Sequence, residues 1–446
     1  MIDDVDSHPP RGKPRHSLVK AYAPKVAFAI VVANMVGTGV FTSLGFQLLS
    51  LSDTRLILLL WAVGGLCALC GALCYAELGV RHPESGGEYH FLSVLVHPYA
   101  GFVSGLVSAT VGFAAPVALA ALTFGNYLKA GGLPLEPRIT ATGLIALLVL
   151  LHARTRRDSA SGQVWLTALK LALIALFIVL ALVNTPAYRQ QLFTGQPIPW
   201  GEALSSEAAI ALIYVTYAYS GWNAATYILG ELDNPARHLP WVLAGGCGLV
   251  ALLYVALNGV FLAAAPVDEL RGEVEIAYIV ADHILGSTGA VVVSLILAGI
   301  LISTVSAMIL AGPRALQRLG EDYPRFSLLG RRNSDGLPAP AISVLGGLAL
   351  VFLWSATFEQ ILIVAGLLMA VNTLVTVAAL FISRRRDRGI VETDRFTMPL
   401  YPLPALVFLG VTGWTVLYSA LAFPNQVLAV AVALLLGVPL YRWARS

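Results

Sequence analysis

The sequence predicts an all-α polytopic membrane protein with twelve spans, and three observations lead there. The chain is 57% hydrophobic and only 12% charged, with a mean hydropathy of +0.78, whereas a soluble domain carries roughly 25% charged residues. Its apolar runs recur at the ~20-residue length that crosses a bilayer as a helix. Two of these runs are interrupted by glycine, at Gly37-Thr38-Gly39 and at Ser220-Gly221. A helix in lipid satisfies its backbone groups internally, so a break persists only where the freed groups have something to bind.

The spans fall at about 25–48, 56–80, 98–128, 139–153, 163–184, 204–230, 239–264, 285–313, 339–356, 358–382, 401–422 and 425–442. Lysine and arginine orient them, because cytoplasmic loops carry the excess of both. Of 28 such residues, Lys170 lies within a span, and Arg55, Lys129, Arg138, Arg189 and Arg271 fall in one set of alternate loops. All the others fall in the opposite set or the tails. Both termini are therefore placed in the cytoplasm, with residues 1–24 as a basic tail and 443–446 as the C-terminal end. Residues 1–24 hold no apolar stretch resembling a signal peptide.

Within the spans, Gly101, Gly105 and Ala109 form a small-residue stripe that lets helices approach closely. Gly64, Gly65 and Gly71 do the same in span two, and Pro116 is placed to kink span three. Cys67, Cys70 and Cys74 share one apolar helix, and with Cys247 they read as packing residues. They form no disulfide framework or metal site. The net charge of +3 makes no case for nucleic-acid binding. No metalloprotease or nucleophile-elbow motif points to an enzyme, and no ring of like groups points to a channel. No cofactor is expected.

The breaks carry the binding chemistry. A half-helix starting near Gly39 aims free N–H groups and a positive dipole end into the membrane, which suits a carboxylate. The half-helices that end at each break leave free carbonyls, which suit an ammonium. Together these describe an α-amino acid. Two breaks in corresponding places of two halves point to a secondary transporter, although glycine also serves simple packing in membrane helices. No carboxylate falls mid-membrane in the central helices, so a cationic side chain would lack a counter-charge. A neutral amino acid is favoured. Lys170 lies about seven residues inside span five. It is either a functional intramembrane charge or a snorkelling side chain, and its position alone leaves both open.

Four motifs add a resemblance. They are Val36-Gly37-Thr38-Gly39-Val40-Phe41; Tyr75-Ala76-Glu77-Leu78-Gly79 followed by Pro83-Glu84-Ser85-Gly86-Gly87-Glu88-Tyr89; Tyr217-Ala218-Tyr219-Ser220-Gly221-Trp222-Asn223 running on to Gly230-Glu231-Leu232-Asp233-Asn234-Pro235-Ala236-Arg237; and Ser303-Thr304-Val305-Ser306-Ala307-Met308 ending at Gly312-Pro313-Arg314. Taken together, in this order and on these spans, they resemble the amino acid–polyamine–organocation transporter superfamily. The likeness is greatest to its bacterial L-amino-acid-transporter branch.

The resemblance implies a leucine-transporter-type fold of two inverted five-helix repeats. Residues 25–184 and 204–382 form the repeats, with broken helices one and six, and residues 401–442 add two helices. It implies that the substrate carboxylate sits near Gly37, Thr38 and Gly39. The amino group would meet carbonyls near Met35, Tyr217, Ala218 and Ser220, with Asn223 close by. Ser220 departs from the glycine or aspartate often found at its position. Tyr217 would be an outer gate, with Glu231 at an inner one; Glu77, Glu231 and Asp233 are otherwise expected to make helix-end contacts with Arg81 or Arg237. Lys170 would stand where sodium-coupled relatives bind their cation, bonded to span-one carbonyls and to hydroxyls such as Ser303 or Thr304. The implied function is sodium-independent transport of neutral L-amino acids by alternating access, as proton symport or as exchange. Its alternatives are an amino acid sensor or a carrier of another amine or organocation. The expected partners are the amino acid, protons as a candidate coupling ion, and the bilayer of an inner membrane. No disulfide-linked heavy chain is expected.

Overall fold

The computed structural model describes residues 22–154, 159–184, 200–386 and 395–446. The predicted tail up to residue 21 lies outside them, as do Arg156, Arg157, Arg189 and Arg388. Among the described residues the protein is almost wholly helical, with a single isolated bridge between Tyr22 and Leu232. Ten helices are long and apolar enough to cross a membrane, and two shorter apolar helices, Ser206–Ala218 and Ala339–Ser355, occupy the predicted sixth and ninth spans.

Span one is α1 (Pro24–Met35) and α2 (Gly39–Ser50). Span two is α3 (Thr54–Arg81), capped by the Asp53 carboxylate on the amides of Arg55 and Leu56. A short helix, α4 (Glu88–Leu95), precedes span three. That span comprises α5 (Pro98–Val107), a π-helical turn at Ser108–Ala114, and α6 (Ala115–Ala130). The π turn stands immediately before Pro116, whose missing N–H and ring would clash with a regular ladder. Spans four and five are α7 (Pro137–Arg154) and α8 (Ser159–Asn184).

Span six begins as α9 (Ser206–Ala218), breaks, and continues as a 3-10 helix at Ala224–Glu231. The remaining helices are α10 (Pro235–Ala264), α11 (Ile276–Ala311), α12 (Pro313–Asp322), α13 (Ala339–Ser355), α14 (Phe358–Arg386), α15 (Leu403–Ala422) and α16 (Pro424–Arg445). Span eight starts earlier than its predicted residue 285. Its α11 runs from Ile276 but is interrupted at Gly286, whose φ of 71° is open to glycine at little cost. Asp282 and His283 lie on the segment before that interruption, where His283 meets Glu269 at 2.8 Å.

Buried apolar residues fall into three clusters. The largest includes Ile30, Trp61, Leu212 and Val250 of spans one, two, six and seven, and takes in parts of spans five, eight, ten and eleven. A second joins spans three, four, eight and nine through Val117, Ile145, Ile309 and Leu345, with Tyr227 of span six. The third joins spans one, three, six and ten through Phe46, Leu119, Ile213 and Leu362. The small residues of span two serve the largest cluster, since side chains at Gly64 and Gly65 would meet Val215 and Tyr219, and one at Gly71 would meet Phe408. The stripe on span three permits the close helix approach expected of it, here to short helices. Gly101 and Gly105 face Ser93 and Tyr89 of the α4 segment and Leu319 of α12, because these glycines sit in the first turns of the span, level with the short helices.

Glu77 is fully buried at the end of α3. It meets Arg81 as predicted, and Arg384 of α14 at 2.6 Å, while accepting the Met398 N–H at 2.8 Å. Glu231 is corrected: its partner is Arg314 at 3.6 Å, not Arg237, because the 3-10 segment turns it toward the end of span eight. Removing one member of a buried, hydrogen-bonded pair costs about 3–5 kcal/mol. Glu77→Ala is therefore expected to lower the thermal midpoint of the detergent-solubilised protein sharply. An unchanged midpoint would strike this cluster from the supports of the fold.

Candidate functional site

The two breaks meet at the centre of the bundle. A Cβ at Gly39 would strike the Cα of Ala218, so glycine is what allows spans one and six to touch there. At Gly37 the nearest atom would be Thr304 Cγ2 at 3.4 Å, an ordinary contact. Gly221 has a φ of 95° and lies against the backbone of Asn34, with 2.9 Å to its carbonyl carbon and oxygen from a built Cβ. Side chains bind α2 and α9 together, Ser43 donating to the Tyr214 carbonyl at 3.2 Å and Gln47 to the Ala211 carbonyl at 3.2 Å.

Backbone groups freed by the first break are partly taken. The Met35 carbonyl accepts both the Gly37 N–H, at 2.8 Å, and the Tyr254 hydroxyl, at 2.5 Å. Its acceptor positions are thus filled in this conformation, and Tyr254 of span seven is a contributor that the sequence reading passed over. A hydroxyl in mid-span was its signal, since a buried phenol requires a partner. The Val36 carbonyl accepts Lys170 Nζ at 2.9 Å and Thr304 Oγ1 at 3.0 Å, and Lys170 also donates to Thr304 Oγ1 at 2.8 Å. Lys170 is 1% exposed, so it does not snorkel. Ser303 is not part of this triad, its buried Oγ having no hydrogen-bond partner among the described residues.

The first amides of α2 have no acceptor within their own helix. The Tyr217 hydroxyl neighbours the Thr38 side chain. At the second break, the Tyr217 carbonyl takes the Ser220 N–H at 2.9 Å, while those of Ala218 and Ser220 take none of the described hydrogen bonds. Trp222 is a packing residue, edge-on to Tyr75 at 4.7 Å between ring centroids.

Asn223 is turned away from span one. Its side-chain amide donates to the carboxylate of Glu88, which also accepts from Tyr75 at 3.0 Å and from Tyr227. Glu88 was legible only as part of a loop motif. Two glycines at positive φ, Gly86 at 124° and Gly87 at 56°, fold that loop back under the break. A carboxylate thus does approach the central helices, but both its oxygens are engaged. A cavity of about 40 Å³ lies against span six, lined by Tyr217, Ser220 and Asn223 and, opposite, by Cys67, Thr373 and Thr412. It is far below the ~300–1,000 Å³ of a ligand pocket. Thr38 and Gly39 do not border it.

Residues 25–439 match the amino acid permease family. The mouse large neutral amino acids transporter small subunit 2 is 31% identical over 273 residues, covering 58% of this chain and 50% of the relative; the chain thus spans about half the length of that relative. The serine/threonine exchanger SteT of Bacillus subtilis (strain 168) is 28% identical over 430 residues, covering 93% of this chain and 94% of the relative. The mouse Asc-type amino acid transporter 1 is 26% identical, covering 96% and 81%. With two broken, glycine-dependent spans crossing at its centre and a family match over nearly its whole length, the chain belongs to the amino acid permease family.

Proposed function

We propose that the protein is a sodium-independent secondary transporter of neutral L-amino acids working by alternating access. The observation that carries this reading is Lys170, whose amine bridges the break in span one to Thr304 of span eight. Thr304 spends its own proton on Val36, so every partner of Nζ is an acceptor. An ammonium fits this arrangement, whereas a neutral amine would leave its lone pair without a donor. A fixed positive charge between spans one and eight makes sodium binding there unfavourable.

The substrate carboxylate meets the amides near Gly37, Thr38 and Gly39. Its ammonium meets the carbonyls of Ala218 and Ser220, and Tyr217 closes above. Relatives named for serine/threonine exchange and for large neutral amino acids support a neutral substrate. Spans one, two, six and seven rock against three, four, eight and nine, and the contact between Glu231 and Arg314 is an inner gate. The two halves, 25–184 and 204–382, form inverted repeats in an inner membrane, with both termini cytoplasmic. All four cysteines are buried, which supports a carrier without a disulfide-linked heavy chain.

The test is uptake of radiolabelled neutral amino acids into proteoliposomes without sodium. An inward proton gradient is compared with preloaded unlabelled substrate. Stimulation by the gradient identifies a symporter, and stimulation by internal substrate alone an exchanger. Binding without uptake would replace this reading with a sensor, and uptake only of another amine or organocation would change the substrate class.

A further inference from the structure

Glu88 is a buried carboxylate beside the span-six break that takes no part in the substrate contacts proposed above. It is 0% exposed, and its partners come from two spans: Tyr75 from span two, and Asn223 and Tyr227 from span six, with Tyr227 in turn 2.9 Å from Ser108 in the π turn of span three. Among the described residues no cation pairs with it. From α14, Thr376 faces Tyr75. On its own segment, His90 and Glu84 face each other at 3.7 Å.

Three neutral donors and no counter-charge make an unusual seat for a carboxylate, because burying an unpaired charge is costly. The cluster can also hold the acid. If Glu88 Oε2 carries a proton, it donates to the Tyr227 oxygen, and the Tyr227 proton turns to Ser108. If it does not, Tyr227 donates to Glu88. Either way every group stays satisfied by rotating one hydroxyl. Burial accordingly holds the Glu88 carboxyl above the ordinary glutamate range, its donors offsetting only part of the effect.

We propose that Glu88 is a proton-binding site of the transport cycle, coupled through Asn223 to the substrate at the span-six break. The proposal rests on the transport reading above. With Lys170 keeping its proton, any proton coupled to transport must bind elsewhere. The cytoplasmic half of span six carries Tyr227, and its movement exposes Glu88 to water. An O–H bond then breaks on Glu88 and the proton passes to water, leaving the carboxylate; resealing reverses the step. The sealed state binds more protons, so acidification favours it, and that advantage is lost as pH rises through the carboxyl's raised range.

The experiment uses the purified full-length protein and Glu88→Gln, whose amide mimics the protonated acid and keeps the network bonded, with Glu88→Asp as a titratable control. Infrared spectra read the carboxylic-acid carbonyl band, and binding of radiolabelled L-serine and L-leucine is measured across pH. The wild type should show a protonated band that is absent in E88Q. Its affinity should fall with rising pH by up to about tenfold per unit, the limit for one linked proton. E88Q should bind with little pH dependence, and E88D should retain it. Amino acid binding with the same pH profile in wild type and E88Q, or no band assignable to Glu88, overturns the proposal. If the wild type binds neither amino acid, the coupling falls together with the transport reading; a persisting Glu88 band would then mark that reading as the one at fault.

Discussion

Lys170→Ala is expected to lower sodium-free uptake by at least about 10²-fold. Two hydrogen bonds from a charged donor, at ~1.5–3 kcal/mol each, hold the Val36 carbonyl and Thr304 together. Losing both shifts the balance between conformations by about 3–6 kcal/mol, or roughly 10²–10⁴-fold. Lys170→Met keeps most of the side-chain volume without the charge and should fail equally, which separates charge from packing. Thr304→Val leaves the bond from Lys170 to Val36 in place and should have a smaller effect. Proteoliposome uptake, normalised to folded protein by size-exclusion chromatography, measures all three. Uptake by Lys170→Ala above a tenth of the wild-type rate would show that the triad is dispensable.

Gly39→Ala should impair transport far more than Gly37→Ala, although the two glycines look equivalent in the Gly-Thr-Gly triplet. A methyl at residue 39 is driven onto the Cα of Ala218, whereas one at residue 37 makes an ordinary contact with Thr304. Neither position has a positive φ that would penalise alanine. Overpacking of this kind costs about 1–3 kcal/mol, a factor of roughly 5–150 in substrate affinity when it forces the two breaks apart. Equilibrium binding of a neutral amino acid to both variants reads the difference. If Gly37→Ala proves the more damaging, close approach of spans one and six is not what the triplet secures.

These two expectations differ in how far the sequence reached. The partnership of Lys170 with span one and a span-eight hydroxyl was predictable from an unpaired charge in an apolar span together with a resemblance. The choice of Thr304 over its neighbour Ser303 was not, because adjacent residues on a helix point about 100° apart and only the rotation of α11 decides which meets the ammonium. The Gly37-Thr38-Gly39 triplet announced a break, yet which glycine is sterically required depends on where span six crosses it. Glu231 was recognised as a helix-end acid, but its pairing with Arg314 follows from the 3-10 turn after the second break.

Composition, apolar run length, the loop bias of lysine and arginine, and the positions of the breaks were determined by the sequence itself. Each reflects a local constraint: a span must satisfy its own backbone in lipid, and a break must lie where glycine permits it. The tertiary structure alone brought Glu88 beneath Asn223, seated Tyr254 on Met35, and turned the span-three stripe toward α4 and α12. Those relations join residues far apart in the chain through loops and helix rotations. Local propensity carries no term for such distances; they emerge only when the helices pack together and buried polar groups find partners.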